Sequence, residues 1–320
     1  MIENKKTKGL IFGIIVGLAW GLDSVFMGQV SKSEIFEGVK SSGLITAFLH
    51  DGFAFMWISL FMLFRKDLKS AFMLMKTRTG KVTMLAAVVG APIGMSGYVL
   101  GIQYAGAAYA ASISVIYPAI GAIFAYLILK EKISKKAIIG ILISLLGSAM
   151  IGFTGAVGGE VSSDFFIGIG FTLLAVVAWA LEGTIIAYAM KGQKDSDGPK
   201  ASAEQLLTLR YFVSIVVYGL VIMPLIGGYG VVGEIFVSGL FVKFALIATL
   251  GVTTYLCWYK AVSLVGGALG TALNSTSAFW AVVFGALLFG AAVSATQIFW
   301  CIVIIVGVFI FATGSKKKGE

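Results

Sequence analysis

Apolar runs of about 20 residues, the length of helix that crosses roughly 30 Å of hydrocarbon, recur along the whole chain. They lie at 10–30, 44–64, 82–103, 107–129, 137–153, 165–190, 206–226, 239–261, 267–289 and 294–313. A backbone in lipid must satisfy its own hydrogen bonds, which leaves helices and closed barrels as the only spanning structures. Barrel strands alternate apolar and polar residues over about ten positions, and these runs do not alternate. Charged residues make up 12% of the 320, half of the roughly 25% usual for a soluble domain. That leaves too little polar surface to cover a water-soluble globule. The expectation is an all-α polytopic membrane protein with ten transmembrane helices. Apart from the segment 191–204, only short polar connections remain for anything else.

The basic N-terminus followed by an apolar run has the look of a signal peptide. That run is too long, carries Asp23 and ends without a small-residue cleavage site, so it is taken as the first span. Cys257 and Cys301 fall inside predicted spans and read as apolar packing. The net charge of +9 is a matter of placement. With a cytoplasmic N-terminus and ten crossings, every one of the 24 Lys and Arg residues except Lys32, Lys40, Lys243 and Arg210 falls on the inner side. This is the positive-inside pattern. The basic balance therefore reports orientation in a plasma (inner) membrane, with both termini cytoplasmic, and excludes nucleic acid as a partner.

An offset of about 157–160 residues brings two halves into register. Residues 18–23 read LAWGLD and residues 177–182 read VAWALE, so Trp20 maps to Trp179 and Asp23 to Glu182. Tyr98 maps to Tyr255 and Ser134 to Ser294. Each half holds five spans, an odd number, so the second half is inverted. The loop charges agree: KEKISKK after the fourth span is basic, and FGAAVSAT after the ninth is uncharged. The expected organisation is a 5+5 inverted-topology repeat, with repeats at 1–156 and 157–320. In secondary transporters of this architecture the substrate site lies near the midplane between the repeats.

The 5+5 plan, the tryptophan-centred first span of each half and the run YAGAAYAASISVIYPAIGAIFAYLILKEKIS at 104–134 resemble the drug/metabolite transporter superfamily in its EamA-type branch. The resemblance covers nearly the whole chain. It implies a carrier of small solutes, in a group whose members move amino acids, sugars, nucleotides, amines and drugs. It also implies that spans three, four, eight and nine line the cavity. The second half departs from the family pattern by lacking its proline near Ser275–Ser277 and by carrying Gly290 where a glutamate usually follows span nine. Span two has Asp51 where an arginine is common, while Arg210 keeps that arginine in span seven.

The ionisable groups well inside spans are Asp23, His50, Asp51, Glu182 and Arg210, and such groups are costly in lipid and mark function by default. Asp23 and Glu182 occupy equivalent positions and are expected on opposite walls of a central cavity. There they attract a cation or take up protons; the bland alternative is that each accepts hydrogen bonds from neighbouring helices. Trp20 and Trp179 lie three residues before these acids, on nearly the same helical face, where a cation–π contact suits a positive ligand. Tyr98, Tyr117, Tyr255, Trp258, Asn274 and Trp280 join them as candidate substrate contacts, packing being the alternative for each. His50 and Asp51 are adjacent and point about 100° apart on a helix, so both cannot face one partner. Either one relays protons, or Asp51 forms a structural ion pair with Arg210, its repeat-related position, or the two lie nearer the membrane interface. Gly9, Gly13, Gly17 and Gly21 form a small-residue stripe for helix packing, and Pro92, Pro118 and Pro224 are expected to kink their spans.

The sequence holds no Walker A loop, no HExxH and no Cys/His cluster, and it has a single histidine. No cofactor, metal or enzyme activity is expected. The reading is a secondary active transporter, moving a small organic cation, amine or amino acid by alternating access and coupled to protons. The alternatives are a neutral solute such as a sugar or nucleoside, or a receptor or scaffold. Its expected partners are the solute and membrane lipid, and the chain acts as a monomer or homodimer.

Overall fold

The computed structural model describes residues 2–105, 110, 113–114, 116–156, 164–192 and 200–314. Among these every regular element is helical. The first half runs through α1 (Ile2–Val30), α2 (Ser42–Phe64) and a short α3 (Leu68–Met73). Next come α4 (Arg78–Val88) and α5 (Ser96–Ala105), joined by a π-helical stretch at Val89–Met95, then α6 (Tyr117–Leu129) and α7 (Lys135–Ala156). The second half begins with α8 (Phe165–Gly192). In it α9 (Ala203–Val217) passes through a π-helical stretch at Tyr218–Ile222 into α10 (Met223–Ile226). It continues with α11 (Tyr229–Val237) and α12 (Phe241–Val265). The chain then forms α13 (Gly267–Ala272), a 3₁₀ turn at Leu273–Thr276, α14 (Ser277–Phe289) and α15 (Ala295–Gly314).

Among the described residues, seven stretches are long and apolar enough to cross a membrane: Lys5–Val30, Ser42–Phe64, Arg78–Ile102, Phe165–Lys191, Ala203–Ile226, Phe241–Val265 and Gly267–Phe289. Tyr117–Leu129 and Ala295–Phe311 are shorter apolar helices. The run at 137–153 lies within α7, and part of the run at 107–129 falls outside the described residues. The chain is thus an all-helical, multi-pass membrane protein.

The breaks inside spans have local causes. Pro92 carries no N–H and would leave a gap in an α-helical ladder; the wider π turn around it absorbs the fault. Pro224 follows the second π stretch and starts α10. Pro118 occupies the first turn of α6, where a missing N–H costs nothing; much of the span before it lies outside the described residues. The turns that end α6 and α14 are the same. Lys130 (φ 54°) and Gly290 (φ 63°) are left-handed, and the next N–H reaches back six residues, Glu131 to Ala125 and Ala291 to Gly285. The residue in the place of Glu131 is therefore Ala291, one position beyond Gly290; Gly290 stands in the place of Lys130.

The packing is built on close backbone approach. The stripe on α1 faces Leu264 and Val265 of α12 at Gly9, then Leu273 at Gly13, Thr276 at Gly17 and Trp280 of α14 at Gly21. On the other side of the molecule α8 runs antiparallel along α4, the π stretch and α5, so that Glu182, Trp179, Ala175 and Thr172 meet Gly90, Gly94, Gly97 and Gly101 in turn. The helices α2 and α9 pack together, as do α6 and α8, and α7 lies along α15.

Candidate functional site

Five buried ionisable side chains from four helices form one chain of contacts. His50 of α2 stands between two acids. Its Nε2 is 3.1 Å from Asp23 Oδ2 of α1, and its Nδ1 is 3.2 Å from Asp51 Oδ1. A carboxylate oxygen only accepts, so both ring nitrogens donate in the doubly protonated ring, and the neutral ring forfeits one of the two contacts. Asp51 Oδ2 accepts from the Ser214 hydroxyl of α9 at 2.5 Å and lies 3.5 Å from Arg210 Nη1. Arg210 Nε in turn donates to Glu182 Oε1 of α8 at 2.9 Å. Asp23, Glu182 and Arg210 are only 4%, 1% and 2% exposed.

Glycine makes room for these groups. A β-carbon at Gly251 of α12 would collide with the His50 ring, and one at Gly90 with the Glu182 carboxyl. The Arg210 guanidinium lies 3.7 Å over the Tyr255 ring and 5.0 Å from that of Tyr211. Planarity lets it stack and pair at once. Its Nη1 is buried and makes no hydrogen bond among the described residues. Removing charges from water costs several kcal/mol per ion unless partners repay it, and here each cation has a carboxylate on both sides. Three carboxylates nonetheless face two cationic groups.

The aromatic candidates fall into two groups. Trp20 meets Tyr255 edge-on at 6.3 Å, and Tyr255 meets Trp258 at 5.7 Å. The Trp258 indole donates to Thr271 at 3.2 Å. In the second group Trp179 lies 5.3 Å from Tyr98 and 5.9 Å from Tyr117. Its indole donates to the Gly90 carbonyl at 3.0 Å, and Asn274 donates to the Tyr117 hydroxyl at 2.6 Å. Trp280 is placed elsewhere, beside Phe279 and Phe284 against Gly21 of α1.

The sequence-based alternatives for His50 and Asp51 meet in one arrangement. They do face different partners, α1 and α9, yet their side chains also touch each other. Asp51 contacts Arg210 as its repeat position suggested, but Arg210 is shared with Glu182. The acids Asp23 and Glu182 are ends of one network rather than bare walls of a cavity. Ser214 and Tyr211 were missed: Ser214 sits four residues after Arg210 on the same helix face, a spacing that marks a shared partner.

The fold and this site define a multi-pass helical membrane protein with a charge network at the junction of its two halves. Residues 7–153 match the EamA-like transporter family, the family that the sequence resembles. Protein LicB of Haemophilus influenzae is 28% identical over 95% of this chain and 97% of its own length. An uncharacterized transporter of Clostridium kluyveri is 24% identical over 74% of this chain and 73% of its own. One protein crystal structure shares the fold with a TM-score of 0.74 at 12% identity, over 98% of this chain and 99% of that one. The protein is a membrane transporter of small solutes.

Proposed function

We propose that this chain is a secondary carrier for a small organic cation or amine, working by alternating access between two inverted five-helix repeats in the plasma membrane. The observation that carries the reading is the surplus of carboxylate in the buried network, three acids against Arg210 and His50. A cationic solute or a proton completes that balance. The two acids then divide the work. Glu182 is tied to a permanent charge, so it anchors Arg210. Asp23 is tied only to an imidazole, which can give up its proton and its contact, so Asp23 meets the solute. His50 carries the coupled proton.

The two-repeat organisation has support in the packing. Shifting each residue by about 159 positions exchanges α1 with α8, α12 with α4 and α5, and α14 with α6. The pairs α1–α12 and α1–α14 then become α8–α4/α5 and α8–α6, while α2–α9 and α7–α15 map onto themselves. Ten crossings with cytoplasmic termini follow from the same plan and the charge placement.

A thermal-shift screen of purified protein tests the solute class. A ligand that binds only the folded state, present at 100 times its dissociation constant, adds about 2.7 kcal/mol. Quaternary ammonium and amine compounds are expected to raise the midpoint, and to do so less in Asp23→Asn. A rise with sugars or nucleosides alone would overturn the cation reading in favour of acids that accept hydrogen bonds.

A further inference from the structure

The end of the molecule that carries the basic loops is fastened by side chains across the two halves. Glu131, just after α6, accepts the Gly267 N–H on Oε1 at 3.1 Å and the Ala268 N–H on Oε2 at 3.3 Å. These are among the first amides of α13, which have no partner within their own helix, at the end where the helix dipole favours an anion. Gly266 makes them available. Its φ of 92° ends α12 and starts α13 in a new direction. A β-carbon there would stand 3.1 Å and 3.3 Å from the Glu131 carboxylate oxygens, and the backbone angle is one that side-chain-bearing residues rarely adopt. Lys191 of α8 also donates to the Leu129 carbonyl at the end of α6, at 2.9 Å. Arg78 of α4 bonds the Tyr188 hydroxyl of α8 at 2.8 Å, and Gln205 of α9 bonds Ser70 of α3 at 2.8 Å and Asp67.

The opposite end has the same turn without the carboxylate. After α14 the left-handed cap and the six-residue reach-back are repeated, and the residue in the place of Glu131 is Ala291. We infer that Glu131 is the clasp of a one-sided gate: it holds α6 of the first half to α13 of the second and must release those two amides before the carrier opens at its basic end. Among the described residues, opening at the other end breaks no carboxylate-to-amide contact of this kind. A contact present in only one of two states shifts their populations by its own free energy, so the chain rests closed at the basic end. This rests on the carrier reading above.

The test is a distance measurement by electron paramagnetic resonance between spin labels at Lys132 and Ser263, both exposed at that end, in full-length protein in liposomes. Glu131→Gln is expected to raise the ratio of separated to close label pairs about tenfold, the size of effect set by two charge-assisted hydrogen bonds. Glu131→Asp keeps the charge but shortens the reach, and is expected to separate the labels as well. If the distances are unchanged in Glu131→Gln, Glu131→Asp and Glu131→Ala, with the unfolding midpoint retained, the clasp is refuted. If the labels separate while the wild type moves no tetramethylammonium, amine or amino acid across the membrane, the clasp stands and the carrier reading falls.

Discussion

The motif LAWGLD in the first half and VAWALE in the second end in different chemistry. Trp179 and Glu182 are both committed: the indole donates to Gly90 in the π turn, and the carboxylate receives the Arg210 Nε. Trp20 and Asp23 are held more loosely. Trp20 rests edge-on against Tyr255 with no indole hydrogen bond among the described residues, and Asp23 has an imidazole as its partner. Arginine keeps its charge in proteins, whereas histidine changes charge near neutral pH when unperturbed. On the proposed two-repeat plan, one copy of the motif serves as a structural strut and the other stays able to exchange partners.

The sharpest way to break the comparison is to remove the strut. Arg210→Ala leaves Glu182 buried without a cation and Asp51 with His50 alone, and is expected to cost about 3–5 kcal/mol, read from the unfolding midpoint in detergent. The two acids should then separate. Glu182→Gln strips the charge from the Arg210 hydrogen bond and is expected to cost about 1.5–3 kcal/mol. Asp23→Asn weakens one contact to His50 and is expected to cost about 1 kcal/mol while reducing solute binding most. Equal losses of stability in the two variants would mean that the halves are equivalent. The smallest contrast lies between the tryptophans. Trp179→Phe loses the bond to Gly90, about 1 kcal/mol, and Trp20→Phe should move the midpoint less.

The fold was legible where lipid is the solvent, because a run long enough to span has to be helical whatever its neighbours do. The breaks within spans were less so. Pro92 announces itself, but the 3₁₀ turn at Leu273–Thr276 contains no proline or glycine. In the site, the contact of Asp51 with Arg210 followed from repeat position alone. The bond from His50 to Asp23 depends on how α1 and α2 cross beside Gly251, which no local pattern encodes. The shift from Gly290 to Ala291 opposite Glu131 is a register of one residue, fixed by the geometry of a turn.

Uptake of labelled tetramethylammonium into proteoliposomes carrying the wild type, Asp23→Asn or Glu182→Gln tests the account most directly. The network reading expects saturable uptake by the wild type and at least a tenfold loss in Asp23→Asn with folding intact, as deletion of a charge-assisted contact implies. Glu182→Gln should lose stability first and retain uptake in the fraction that remains folded. Wild-type uptake undiminished in Asp23→Asn would contradict it.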